Sequence, residues 1–147
     1  MTQQEIQKLE IQLGKTLPKS YRFLLQNYPE FLLTAGEPYN TVCEFVLLNS
    51  IEKIVYLNSW LQNDNPPLPN YLIAIGDDGA GNCYFINTQN EKIYFFDHEN
   101  QDYEDDTEAI NYENGLQEKH QTIQEFVQYL TDFWQDEDFL AMYNRDK

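Results

Sequence analysis

The sequence predicts an α+β fold in which helices near both ends of the chain pack on an antiparallel meander. Apolar residues recur at helical spacing at the start and near the end of the chain, and short β-branched and aromatic runs occupy its middle. The spacers between these runs are too short for the crossover that parallel strands require. Because 147 residues suit one domain of ordinary size, we expect a single domain over residues 1–147.

Two amphipathic helices are predicted at the start of the chain. Ile6, Leu9 and Leu13 lie at helical spacing, and Gly14 then suits a C-terminal cap. The second helix is predicted to begin with Pro18 in its first turn, where a missing N–H costs nothing, and to end before the next proline. The chain therefore opens with a helical pair.

A strand, a third helix and a meander are predicted next. Residues 42–48 form an apolar run typical of a strand, and the apolar residues from Ile51 to Leu61 follow a helical period after a loose capping pattern that begins at Asn49. Trp60 belongs to that apolar set. The predicted strands of the meander are Tyr71–Ile75, Cys83–Ile86 and Ile93–Phe96.

The last predicted helix has the strongest local signals. Residues 122–125 spell a capping box, and an apolar stripe runs from Ile123 to Trp134. Neither a helical nor a strand period is sustained over residues 97–121, so the structure of that segment stays open.

The chain is strongly acidic, with 25 acidic residues against 9 basic ones and a net charge of −16. No Lys or Arg occurs between Asp97 and Glu118. Such a surface repels phosphate backbones and anionic lipids, so we expect no direct binding to nucleic acid or membrane. The segment is either a solvated loop or a docking face for a basic partner protein. The candidate partner contacts are Asp102, Glu104, Asp105, Asp106 and Glu108.

Neither a metal nor a secretion signal is expected. Cys43 and Cys83 lie in apolar runs, far from any Cys or His that would complete a zinc spacing, and are interpreted as small buried side chains in a reducing compartment. The first residues lack the positive and apolar segments of a signal peptide, and no apolar run approaches the roughly 20 residues of a membrane span. We therefore expect a cytoplasmic protein without a cofactor.

No catalytic motif is found. The glycine-rich segment 76–82 lacks the Lys-Ser/Thr ending of a phosphate-binding loop and precedes a strand, which favours a tight turn. Asp77, Asp78, His98 and Glu99 could meet at strand ends and serve a metal-dependent hydrolase, but no spacing fixes that geometry. The G-x-S-x-G pattern of a nucleophilic serine is also absent. The sequence therefore favours a protein that is not an enzyme.

Three motifs, in this order, resemble the SUKH superfamily. Residues 6–25 carry a helix, then Leu-Pro, then Tyr and a second helix. Residues 73–86 carry an apolar strand, the turn Asp-Gly-Ala-Gly-Asn and another strand, and residues 93–99 carry an aromatic strand ending in Asp-His-Glu. Residues 100–121 match no part of the pattern.

The resemblance implies an α+β domain whose bacterial members commonly act as immunity proteins that bind and neutralise a cognate toxin, often a nuclease. Other members resemble regulatory modules that bind an endogenous protein, which is the alternative function. The resemblance also implies residues that define the fold and rim a binding cleft. They are Leu17, Pro18, Tyr21, Asp78, Gly79, Gly81, Asn82, Asp97, His98 and Glu99. Neither the partner's identity nor the oligomeric state follows from the sequence.

Overall fold

A computed structural model of the chain describes residues 1–29, 46–64, 66–77, 82–96, 112 and 116–135. These residues form helices at both ends and strands between them. In chain order the elements are α1 (Gln3–Leu13), α2 (Lys19–Gln26), β1 (Val46–Leu47), α3 (Ile51–Gln62), β2 (Leu72–Asp77), β3 (Cys83–Asn87), β4 (Ile93–Phe96), β5 (Leu116–His120) and α4 (Ile123–Gln135).

The strands form one antiparallel sheet in the order β1-β2-β3-β4-β5. The predicted three-stranded meander is its centre, in the register Ile73 to Ile86 and Ile86 to Ile93. Helix α3 lies against β2, α1 against α3 and α2, α2 against α4, and α4 against β5. The helices thus contact one another in series, from α3 on β2 near one edge of the sheet to α4 on β5 at the other edge. The predicted α+β fold is confirmed.

Helix α1 is fixed at both ends by local interactions. Thr2 and Glu5 form a capping box, in which the Thr2 hydroxyl accepts from the Glu5 N–H at 3.2 Å. Gly14 adopts the left-handed conformation at φ 68°, which glycine tolerates and which ends the helix as predicted. The Glu10 carboxylate then accepts the Leu17 N–H at 2.8 Å and guides the chain into α2.

Helix α2 receives its N-terminal cap from the turn between β3 and β4. Pro18 precedes the helix and has no side-chain group that could cap it. The Glu91 carboxylate instead accepts the Ser20 N–H at 3.1 Å and the Ser20 hydroxyl at 2.8 Å. These hydrogen bonds hold the pKa of Glu91 below its usual range. The β3–β4 turn is therefore fastened to the helix pair.

Helix α3 is capped by Ser50 rather than by the predicted Asn49, and its buried side packs on β2. Asn58, only 5% exposed, donates to the Ala74 carbonyl at 2.9 Å and accepts the Ala74 N–H at 2.8 Å. Farther along the same strand, the Lys15 ammonium donates to the Leu72 carbonyl at 2.9 Å, and partial burial lowers the pKa of Lys15. The β2 edge beyond β1 is thus satisfied by side chains.

The core lies on both faces of the central strands. Neighbouring residues of a strand point to opposite faces, so Tyr84 packs on Phe126 of α4 at 4.6 Å between ring centroids while Phe85 faces Tyr112 at 6.3 Å. Cys83 is a buried free thiol, as predicted, and Cys43 lies outside the described residues. The predictions for residues 42–45 and 97–111 also fall outside them.

Strand β5 and helix α4 complete the described chain. Strand β5 was not predicted; it pairs with β4, and its Glu118 forms an ion pair with Lys92 at 2.7 Å. Helix α4 confirms the predicted C-terminal helix, with the Thr122 hydroxyl accepting the Glu125 N–H at 3.1 Å. None of the helices in the described ranges has the length and apolar character that crossing a membrane requires.

Candidate functional site

A groove of about 620 Å³ lies beside α3, where β2 ends and β3 begins. Its floor is apolar and is formed by Leu48, Leu57 and Cys83, each less than a tenth exposed. The floor is positioned by the sheet, because Leu48 donates its N–H to the Ile75 carbonyl at 2.9 Å and Cys83 pairs with Asp77. The groove is therefore built on rigid elements.

Two large aromatic side chains on α3 line the groove. Tyr56 is 74% exposed and Trp60 is 57% exposed, although most large apolar side chains of the described chain are buried. Their spacing of four residues places them one turn apart on the same side of the helix. An exposed aromatic pair above an apolar floor is a typical protein-binding surface.

The charged residues of the groove are mostly acidic. Glu52 precedes Tyr56 by one helical turn, and Asp77 lies on the wall formed by the sheet. Lys53 is the basic residue among the described lining residues. The described lining residues therefore combine an aromatic surface with one more acidic than basic side chain.

The acidic character does not extend over the whole chain. Residues 1–29, which contain α1 and α2, hold four basic residues and two acidic ones. The remaining 118 residues therefore carry the entire negative excess. The net negative charge of the chain therefore lies outside the α1–α2 pair.

The family model of the SMI1 / KNR4 family (SUKH-1) matches residues 1–132 of the chain. The chain belongs to this family. The match covers α1, α2, α3, the whole sheet and most of α4, in agreement with the order of motifs in the sequence. No curated protein and no solved structure matches the chain.

Three of the SUKH motif residues have structural positions away from the groove. Leu17 and Tyr21 are fully buried in the core, and Pro18 precedes α2. Burial raises the pKa of the Tyr21 phenol far above its usual range. Leu17 and Tyr21 thus belong to the buried core, and none of the three residues is among the described lining residues of the groove.

The glycine-rich motif is the part of the SUKH pattern that approaches the groove. Asp77 and Cys83, the residues on either side of that turn, both line the groove, and the half-buried Asn82 adjoins Cys83. The other predicted site residues lie outside the described residues. They are Asp78, Gly79, Gly81, Asp97, His98, Glu99, Asp102, Glu104, Asp105, Asp106 and Glu108.

Sequence reasoning missed the aromatic wall of the groove. Trp60 was assigned to the apolar face of α3, but that face is formed by Ile54, Leu57 and Leu61, and Trp60 points to solvent. Around the axis of a helix, Tyr56 and Trp60 fall outside the stripe formed by the three buried residues, and this is the signal by which the sequence could have revealed them. In the part of the chain that is described, no group of three His, Cys, Asp or Glu residues could hold a metal ion.

Proposed function

We propose that this SUKH-1 family protein is an immunity protein that binds a cognate toxin, a nuclease, and neutralises it by stoichiometric occlusion. Family membership over residues 1–132 supports a role in binding another protein. The net charge of −16 is the observation that carries the proposal toward a basic partner.

The proposed inhibition follows from electrostatics. A nuclease must present a basic site to hold the phosphates of its substrate, so an acidic protein competes for the same site by presenting carboxylates in place of phosphates. No catalysis by this chain is needed. The five acidic residues between positions 102 and 108 remain the candidate contacts, and a single domain over residues 1–147 remains the proposed unit.

The proposed place of action is the cytoplasm, where a nuclease would reach its substrate. The free thiol of Cys83 suits that reducing compartment. An immunity protein there would protect its own cell from a toxin delivered by a neighbour.

The proposal is tested by capture and co-expression. The tagged protein is used as bait in the native organism, bound proteins are eluted from low to high salt, and each captured domain is expressed with and without this protein. We expect one basic domain that is lethal alone and harmless in combination. Capture of housekeeping proteins alone, with no lethal domain, would favour the regulatory module instead.

A matched charge variant tests the acidic contacts. Asp105→Asn combined with Asp106→Asn should slow association with the captured toxin and flatten its dependence on salt, because the attraction between these carboxylates and the basic partner is lost. Asp136→Asn combined with Glu137→Gln, outside positions 102–108, changes the net charge equally and is the control. Equal kinetics for the two double variants would remove the acidic segment from the interface.

A further inference from the structure

We propose that the groove beside α3 binds an arginine side chain from an exposed loop of the partner protein. The inference deepens the proposed function and rests on it for the class of partner, a basic protein. It assigns contact residues other than those at positions 102–108.

The aromatic wall provides the stacking surface. The inner side of α3 is already used, because Ile54 and Leu61 are buried and Asn58 is hydrogen-bonded to β2. Tyr56 and Trp60 therefore stay outside the core, 74% and 57% exposed, with ring faces available to a partner. A planar guanidinium stacks on such rings and retains its in-plane hydrogen bonds, which an ammonium group cannot do.

The charges of the groove select a cation. The described lining residues include two carboxylates, Glu52 one turn before Tyr56 and Asp77 at the end of β2, against one ammonium group, that of Lys53. A guanidinium in the groove would pair with carboxylate oxygens while its aliphatic stem covers Leu48 and Leu57. A phosphate would be repelled by the acidic excess among these lining residues.

Two short peptides of equal charge test this inference without the toxin. The probes are acetyl-Gly-Arg-Leu-Arg-Gly-amide and the same peptide with lysine in place of arginine. Each is titrated into isotopically labelled protein, and amide and indole N–H shifts are followed by NMR. We expect the arginine peptide to bind about fivefold more tightly, with the largest shifts at Tyr56, Trp60 and Glu52.

Matched aromatic variants locate the binding. Trp60→Ala should weaken the arginine peptide about fivefold and remove its preference over the lysine peptide. Phe23→Ala is the control, because Phe23 is a similarly exposed aromatic, at 62%, on α2 and away from the groove. Both side chains are exposed, so both variants should keep the wild-type circular dichroism spectrum.

Several outcomes would overturn the inference. Equal affinity of the two peptides would do so, as would shifts spread over the acidic surface or unchanged binding by Trp60→Ala. A dimer in sedimentation that Trp60→Ala abolishes would assign the groove to a second copy of this chain instead.

The co-expression assay separates this inference from the proposed function. Full protection by Trp60→Ala would remove the groove from the interface while leaving the immunity function intact. Failure of the wild-type protein to protect would contradict the immunity function, and the peptide titration would still decide what the groove binds.

Discussion

Replacing Asn58 with alanine is expected to lower the free energy of unfolding by about 3 kcal/mol. The Asn58 amide is the partner of the Ala74 N–H and carbonyl at the edge of β2, and Ala74 itself is fully buried. Both groups lie among buried residues, so the alanine variant leaves each of them without its side-chain partner. Each orphaned buried group costs about 1–3 kcal/mol, and together they account for the expected loss.

The third hydrogen bond of Asn58 adds little to this figure. Its amide also donates to the Ile54 carbonyl at 2.8 Å, but that oxygen lies within α3 and keeps its helical partner. A loss of this size lowers the midpoint of thermal unfolding by roughly 9 °C in a chain of this length. The matched control is Asn63→Ala, because Asn63 also donates to a carbonyl four residues earlier on α3 but is exposed.

Urea unfolding followed by circular dichroism measures both variants. We expect a shifted midpoint with an unchanged slope for Asn58→Ala, and a change below about 0.5 kcal/mol for Asn63→Ala. Asn58→Leu preserves the volume and should lose a similar amount, which assigns the effect to hydrogen bonding. A loss below about 1 kcal/mol for Asn58→Ala would refute the claim that its amide satisfies the edge of β2.

Three further predictions concern single side chains. Glu91→Ala should lower the free energy of unfolding by about 1 kcal/mol at neutral pH, a figure that already allows for solvent screening. Glu91→Gln keeps an acceptor for Ser20 and should lower it less, and urea unfolding measures both variants. Folding lowers the pKa of Glu91, so its contribution to the free energy of unfolding is present above the unfolded pKa and should fade as the pH falls below about 4. A difference in the free energy of unfolding between wild type and Glu91→Ala that stays constant down to about pH 2 would contradict this. Burial raises the pKa of Tyr21 and Tyr28, and that of Tyr112 to about 12, so the free energy of unfolding should fall as the pH rises above about 10. An absorbance titration should show these phenols ionising together with unfolding, and their ionisation in the folded protein would contradict this prediction. Tyr21→Phe should change the free energy of unfolding by less than about 0.5 kcal/mol, because the Tyr21 hydroxyl has no hydrogen-bond partner among the described residues, and a larger loss would reveal one.

Local signals explain which elements could be predicted from the sequence. The Thr2 capping box, Gly14 and the capping box at Thr122 act within a few residues, so the ends of α1 and the start of α4 are encoded locally. The central strands are short runs of β-branched and aromatic residues with brief spacers, so they too can be predicted from the local sequence.

Long-range pairing explains what the sequence did not reveal. Strand β5 has no buried residue in its pattern and no β-branched side chain, and it is a strand because it pairs with β4 and because Glu118 meets Lys92. The cap that Glu91 provides for α2 joins residues far apart in the chain. Neither contact has a local signature.

The groove depends on tertiary structure in the same way. The face of α3 that packs on β2 carries the buried apolar residues together with Asn58, which is bonded to Ala74, and this packing leaves Trp60 outside the core. The glycine-rich motif was visible in the sequence, but not that Asp77 and Cys83, which flank its undescribed residues, would share a groove with an aromatic pair.

Titrating the activity of the captured toxin with this protein is the most direct test of the proposed function. Stoichiometric occlusion predicts that nuclease activity falls linearly and reaches zero at one equivalent of the protein, with the same equivalence point in calorimetry. Full nuclease activity in the presence of a large molar excess of this protein would contradict the account.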